Sequence, residues 1–179
     1  SVYWTTGSIY GAGSGTVMKM PIGGGDPTTL ASGQDTWGRI AVDATSVYWT
    51  NYALYGDHSG AVMKIPIGGG NPTTLASGQV NASGVAVDAT NVYWVVNAEA
   101  GDGTVSSAVK KAPLGGGDPT TLASGPGYFI DLAVDATSVY WTSNGGMLRK
   151  VPIDGGSPTL LASGQEGPLD LAVDATNVY

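Results

Sequence analysis

The stretch VDATSVYWTN, Val42 to Asn51, decides the fold because it does not stand alone. Its opening letters return as VDATNVYW at 87–94, VDATSVYW at 134–141 and VDATNVY at 173–179. Cutting before each [SN]VY divides the chain into units 1–45, 46–90, 91–137 and 138–176, with 177–179 opening a fifth copy. The units are 45, 45, 47 and 39 residues long. That period fits four-stranded propeller blades and some helical repeats. The 29 glycines and 10 prolines are spread through every unit, which leaves no uninterrupted helical stripe and removes the helical option.

Within a unit, short β-type runs alternate with turn chemistry. In the first they are Val2–Thr5, Thr16–Ile22, Thr28–Ala31 and Ile40–Asp43. Val, Ile, Tyr, Trp and Thr suit a pleated, half-buried surface, whereas Gly-Gly-Gly-Asp-Pro and Asp-Ala-Thr-Ser suit tight turns. Four runs per unit predict an all-β propeller of four tandem, four-stranded antiparallel blades within one domain, 1–179. Pro21, Pro66, Pro113 and Pro152 fall late in the Lys-Pro run (Thr16–Ile22 in the first unit), where a missing N–H requires a strand edge or end.

Val-Tyr-Trp followed by Thr5, Thr50 or Thr142, then V-x-K-x-P-[IL] and [IVL]-A-V-D, resembles the YWTD blade of lipoprotein-receptor β-propellers and of related secreted bacterial propellers. The resemblance runs through all four units. The Asp that closes the family motif is replaced by Thr6, Asn51, Val96 and Ser143, and Val95 stands where the others have Thr. The family's Asp-based network therefore does not transfer, and its receptor propellers have six blades. The resemblance implies that Ala-Val-Asp is innermost, followed outward by Val-Tyr-Trp, the Lys-Pro run and Thr-Thr-Leu-Ala. It also implies that Leu171–Asp174 supplies the innermost strand of the first blade and latches the ring, and that the protein is secreted or surface-exposed.

Several classes are disfavoured. A net charge of −7 with seven basic residues does not suit a phosphate backbone, so no nucleic-acid partner is expected. Without cysteine there is neither a disulfide framework nor a thiolate metal site. Hydrophobic runs stay far below a membrane span, so no membrane insertion is expected. One histidine, His58, gives no histidine acid–base pair, and no nucleophile motif appears, so the chain reads as non-enzymatic.

Residues repeated in every unit, among them Lys19, Lys64, Lys111 and Lys150, or Asp43, Asp88, Asp135 and Asp174, read as serving the blade. What differs between units is the link after Tyr-Trp (6–14, 51–59, 96–107, 143–146) and the link before the innermost strand (34–39, 79–84, 126–131, 165–170). In a four-stranded meander both lie at one end. The fourth unit has Asn144-Gly145, which suits a two-residue hairpin turn. Loops on a rigid frame are where binding resides. The expected site takes Tyr10, Trp37, Tyr52, Tyr55, Tyr128 and Phe129 as anchors for a glycan or a protein. Arg39, Asp131 and Asp170, just ahead of innermost strands at the channel rim, act as polar selectors, with Gly84 at the fourth equivalent place.

No cofactor is expected. Asp57, Asp102, Asp131 and Asp170 could offer oxygens to calcium, but the acid-rich twelve-residue calcium loop is absent. Two alternative functions remain: a self-assembling element of an extracellular fibre or larger ring, as a homo-oligomer, and a channel-metal hydrolase of the lactonase type relying on Asp131 and Asp170. The phase of the repeats, beginning at Ser1-Val-Tyr and stopping at Asn177-Val-Tyr, resembles a window cut from a longer array.

Overall fold

The computed structural model describes residues 1–7, 13–52 and 60–179, with the backbone alone at 37–38. Fifteen strands and no helix occur among them. The first blade comprises β1 (Val2–Thr6), β2 (Gly15–Met20) and β3 (Thr28–Gln34). The second comprises β4 (Thr36–Val42), β5 (Ser46–Asn51), β6 (Ala61–Pro66) and β7 (Thr73–Ala76). The third comprises β8 (Ser83–Val87), β9 (Asn91–Glu99), β10 (Val105–Pro113) and β11 (Thr120–Pro126). The fourth comprises β12 (Phe129–Val134), β13 (Ser138–Ser143), β14 (Met147–Pro152) and β15 (Thr159–Ala162). Strands pair antiparallel in chain order, so every sheet is a meander and the fold is a four-bladed all-β propeller. Pro66, Pro113 and Pro152 end their strands and Pro21 follows β2, as the missing N–H demands.

The alternating pattern of a strand sends neighbouring side chains to opposite faces, and here both faces are buried. Tyr3, Val17, Leu30 and Ala31 of the first blade pack against Val47, Trp49, Ile65 and Ile67 of the second. The same arrangement joins Tyr48, Val62, Leu75 and Ala76 to Val92, Trp94, Ala112 and Leu114. It joins Tyr93, Val109, Leu122 and Ala123 to Val139, Trp141, Val151 and Ile153. Each fully buried valine in these layers contributes about 1.5–3 kcal/mol.

Two polar contacts stitch consecutive blades over this core. Lys19 Nζ donates to Ile67 O (2.7 Å), Lys64 Nζ to Leu114 O (3.1 Å) and Lys111 Nζ to Ile153 O (2.6 Å). In return, Trp49 Nε1 donates to Gln34 Oε1 (3.2 Å) and Trp94 Nε1 to Gln79 Oε1 (3.0 Å). The third unit has Pro126 in the glutamine's place, and Trp141 Nε1 is buried with no acceptor among the described residues.

The repeated aspartates build the turn from innermost to second strand. Asp43 Oδ1 accepts the N–H groups of Thr45 (2.6 Å) and Ser46 (2.7 Å), while Oδ2 accepts from the Tyr48 hydroxyl (2.7 Å). Asp88, Asp135 and Asp174 repeat this with Tyr93, Tyr140 and Tyr179. After each Pro-[IL], two glycines at positive φ, such as Gly69 (92°) and Gly70 (134°), turn the chain as a side chain would not permit.

One expectation is overturned. Leu171–Asp174 does not complete the first blade: Val173 bridges Val178, and Ala172 and Tyr179 exchange backbone hydrogen bonds of 3.2 and 2.8 Å. The reason is local. The Asp174 turn closes a hairpin within a few residues, whereas β1 lies at the far end of the chain, and short closure costs less entropy. The innermost place beside β1 is therefore not filled by a named strand.

Replacing Lys64 by methionine removes the donor to Leu114 O while keeping the apolar stem. The expected loss is about 1 kcal/mol, read as a lower urea midpoint with an unchanged slope. The aspartate turns also set an acid limit. For Asp135, partial burial is the largest influence and raises its pKa, but hydrogen bonds from Thr137, Tyr140 and Ser138 outweigh it and hold the group down to about 2. A folded pKa below the unfolded one stabilises above about pH 4, and this is lost as pH falls toward 2. Melting temperature should fall through that window, and Asp135→Asn should flatten the fall.

Candidate functional site

Sequence reading puts Arg39, Gly84 and Asp131 ahead of the innermost strands; the structure puts them inside. Thr36 pairs with Asn51 and Ile40 with Trp49, so β4 carries two extra residues over β5. In β8, Ser83 pairs with Val95 and Val85 with Trp94; in β12, Phe129 pairs with Ser143 and Leu132 with Trp141, each one residue in excess. Arg39, Gly84 and Asp131 are the last residues of these bulges, and a bulge re-aims the side chain it carries.

All the rim positions converge. Arg39 Nη1 lies 3.7 Å from Asp131 Oδ2 and pairs with Asp170, while Nη2 donates to Leu169 O at 2.6 Å. The Leu171 N–H donates to Asp131 Oδ2 at 3.1 Å. At Gly84 a β-carbon would sit 3.1 Å from Asp131 Cα, so the missing side chain is what admits blade four. Burial pushes the Asp131 carboxyl above the usual range, an effect that Arg39 and the Leu132 and Leu171 amides partly offset. The three charged residues thus engage one another first.

Beside this cluster lies a cavity of about 500 Å³, lined by Arg39, Thr50, Tyr52, Asn97, Tyr128 and Phe129 from three blades. Tyr52 is half-buried, and burial, then the Glu99 charge, raises its hydroxyl pKa. The Tyr128 hydroxyl donates to Glu99 Oε2 at 3.0 Å, which raises its pKa in turn. Phe129 differs from its expected role as an exposed anchor: it is 5% exposed and packs on Trp141 with ring centroids 5.6 Å apart. It lines the cavity from within the core between blades three and four.

Tyr10 and Tyr55 lie outside the described residues, as does the Trp37 side chain, whose backbone belongs to β4 rather than a loop. Asn97 escaped the sequence reading. It is buried, donates to Phe129 O (3.1 Å) and accepts from the Phe129 N–H (2.8 Å), so it fixes where blade four begins. A lone amide in the apolar run Val95-Val-Asn-Ala98 was the available signal.

The two sets of variable links do meet at one end. The Gln79 N–H donates to Gly60 O (2.7 Å), Gly127 to Val105 O (3.1 Å) and Gln165 to Gly146 O (3.1 Å). The third unit's long link is mostly strand, since β9 runs to Glu99 and β10 starts at Val105. Asp102 serves the turn between them, accepting from the Thr104 N–H at 2.9 Å. The fourth unit's turn has three residues, Asn144 to Gly146, with Gly146 at φ 70° donating to Ser143 O. Among the described residues no three His, Cys, Asp or Glu side chains are grouped to hold a metal ion.

The comparisons bear on the fold. TolB from Acinetobacter baumannii, a β-propeller, superposes with a TM-score of 0.65 at 15% identity over 90% of this chain and 41% of its own. The AtxE2 isopeptidase superposes with a TM-score of 0.52 at 10% identity, over 85% of this chain and 25% of its own. This chain therefore spans about two fifths of TolB's length and a quarter of the isopeptidase's. No protein-family model and no curated relative matches the chain. At such identities the likeness shows the propeller fold alone.

Replacing Arg39 by leucine leaves Asp131 buried without its cation. Stability at pH 7 should drop by about 2 kcal/mol, a figure below that for a fully buried pair because Arg39 is partly exposed. The substitution raises the folded Asp131 pKa further above its unfolded value. That contribution is intact below the unfolded pKa and lost as pH rises, so the deficit in denaturant melts should shrink below about pH 4.

Proposed function

We propose that the chain is a non-enzymatic binding module of a secreted or cell-surface protein, with blades of the YWTD type. Its ligand, a glycan or a protein segment, enters the cavity at the end where the variable links meet. The observation that carries this reading is the convergence of Tyr52, Asn97, Tyr128 and Arg39, from three blades, on one cavity of about 500 Å³. Concave sites of this size with apolar walls and a few convergent polar groups are the usual form of a ligand pocket. Tyrosine faces bury area against a sugar ring or an apolar side chain while the hydroxyl stays available for hydrogen bonding. The Val-Tyr-Trp-Thr and Ala-Val-Asp strings support the YWTD relation, and the single histidine supports a non-catalytic role.

A glycan array and a pull-down from extracellular extracts, run with the same tagged protein, test the proposal. Binding is expected in at least one, with affinity lowered about tenfold or more by Tyr128→Ala or Tyr52→Ala and circular dichroism unchanged. Blank results in both, or binding that survives the double substitution, would overturn it.

A further inference from the structure

The cavity at the variable end has a floor and a rim of different chemistry. The floor is buried and mostly apolar: Ala82 is 1% exposed and Phe129 5%, and Ile130 extends the wall. Its amide, Asn97, is already engaged by both the N–H and the carbonyl of Phe129. The rim is made by Tyr52 and Tyr128, both half-buried, with Glu99 exposed beside them. Burial and then the Glu99 charge raise the Tyr52 hydroxyl pKa, and the hydrogen bond to Glu99 raises that of Tyr128, so one carboxylate acts on both rings.

The charges here are unequal in sign and in use. Arg39 is the basic residue of the lining, and its guanidinium is taken by Asp131, Asp170 and the Leu169 carbonyl. Glu99 receives the Tyr128 hydroxyl at 3.0 Å and has no cation against it among the described residues. An acidic ligand would therefore have to displace a carboxylate from Arg39 while approaching Glu99. A basic one finds two tyrosine rings and an unpaired carboxylate ready. The net charge of −7 acts in the same direction.

We propose that this cavity takes a basic side chain, the ammonium of lysine or the guanidinium of arginine, from a protein segment whose neighbouring apolar side chain fills the floor. The proposal rests on the reading of the cavity as the binding site. The cation sits at the rim, where the faces of Tyr52 and Tyr128 attract it and Glu99 supplies the counter-charge. The apolar neighbour enters among Ala82, Phe129 and Ile130 and leaves water there. A neutral sugar fits less well, because it leaves the Glu99 charge uncompensated and sets hydroxyl groups against an apolar floor.

Blocked peptide pools with a fixed central Leu-X and randomised flanks, X being arginine, lysine, glutamine or glutamate, test this against the labelled 179-residue chain. The arginine and lysine pools should retain about fivefold more protein than the glutamine pool, and the glutamate pool least. Salt at about 0.5 M should erase the difference. Glu99→Gln keeps an acceptor for the Tyr128 hydroxyl and removes only the charge. It should weaken retention on the basic pools about three- to fivefold and leave the glutamine pool unchanged. Glu99→Lys should turn the preference toward the glutamate pool; should that variant fail to fold by circular dichroism, Glu99→Gln decides. Basic pools retained no better than the glutamine pool overturn the proposal. So does a preference that Glu99→Gln leaves intact, since it then belongs to the overall charge of the chain. The glycan array separates this failure from that of the site itself. A glycan whose binding is lost on Tyr128→Ala, with no preference for basic pools, keeps the cavity as a site and removes the basic ligand; blank results with glycans and with every pool remove both.

Discussion

Everything in this propeller hangs on the contact between consecutive blades. A blade alone is a four-stranded meander with two apolar faces, and neither face can be left in water. The core of tyrosine, valine and Leu-Ala against valine and tryptophan supplies most of the driving force. It is non-directional, however, and would tolerate some slip between sheets. The lysine-to-carbonyl bond sets the register of one blade on the next, since Lys19, Lys64 and Lys111 each reach the residue immediately after a strand-ending proline. Proline ends the strand at a fixed place, and the following carbonyl becomes a fixed target. This explains why lysine, proline and tryptophan recur together, and why stability should be close to a sum of neighbour terms.

The sequence makes the scaffold legible because the scaffold is periodic. Unit boundaries, strand order, terminal prolines and the turn role of Asp43, Asp88 and Asp135 follow from repetition and elementary turn chemistry. Three features were hidden for definite reasons. The bulges that carry Arg39, Gly84 and Asp131 depend on pairing register, which no single strand displays. The extension of β9 and β10 needs two segments to pair across a turn, although Val105-Ser-Ser-Ala108 lacks the density of β-branched residues seen elsewhere. The burial of Phe129 follows from the packing of blade four on blade three, and a lone aromatic beside Tyr128 gives no sign of which ring turns inward. The latch failed for a related reason: family order offered Leu171–Asp174 as the innermost strand of the first blade, but could not weigh its nearest competitor, the three residues after the Asp174 turn.

Exceptions to the repeat carry the information about the site. If all four rim residues were alike, the centre would hold a symmetric cluster of one charge and repel itself. Arg39, Gly84, Asp131 and Asp170 instead give one cation, one vacancy and two carboxylates, which neutralise in part and fit together because Gly84 has no side chain. Pro126 is a second exception. Losing the glutamine there leaves Trp141 Nε1 without an acceptor, a local cost next to the cavity wall that the other interfaces avoid.

These observations separate two jobs that a repeated fold must do at once. Association between blades requires sameness, and is assigned to strands two to four and the lysine, tryptophan and glutamine positions. Recognition, in the function proposed above, requires difference, and the residues that differ lie in bulges and links at one end, which can change without disturbing the stitch. Asn97 stands where the two meet: it is buried like a scaffold residue, whereas its counterpart Asn144 in the fourth unit is exposed, and it holds the start of blade four beside the cavity that Tyr52 and Tyr128 line. A site built this way inherits the rigidity of the interface beneath it. For the proposed ligand, polar groups held in place in advance would lower the entropy cost of binding.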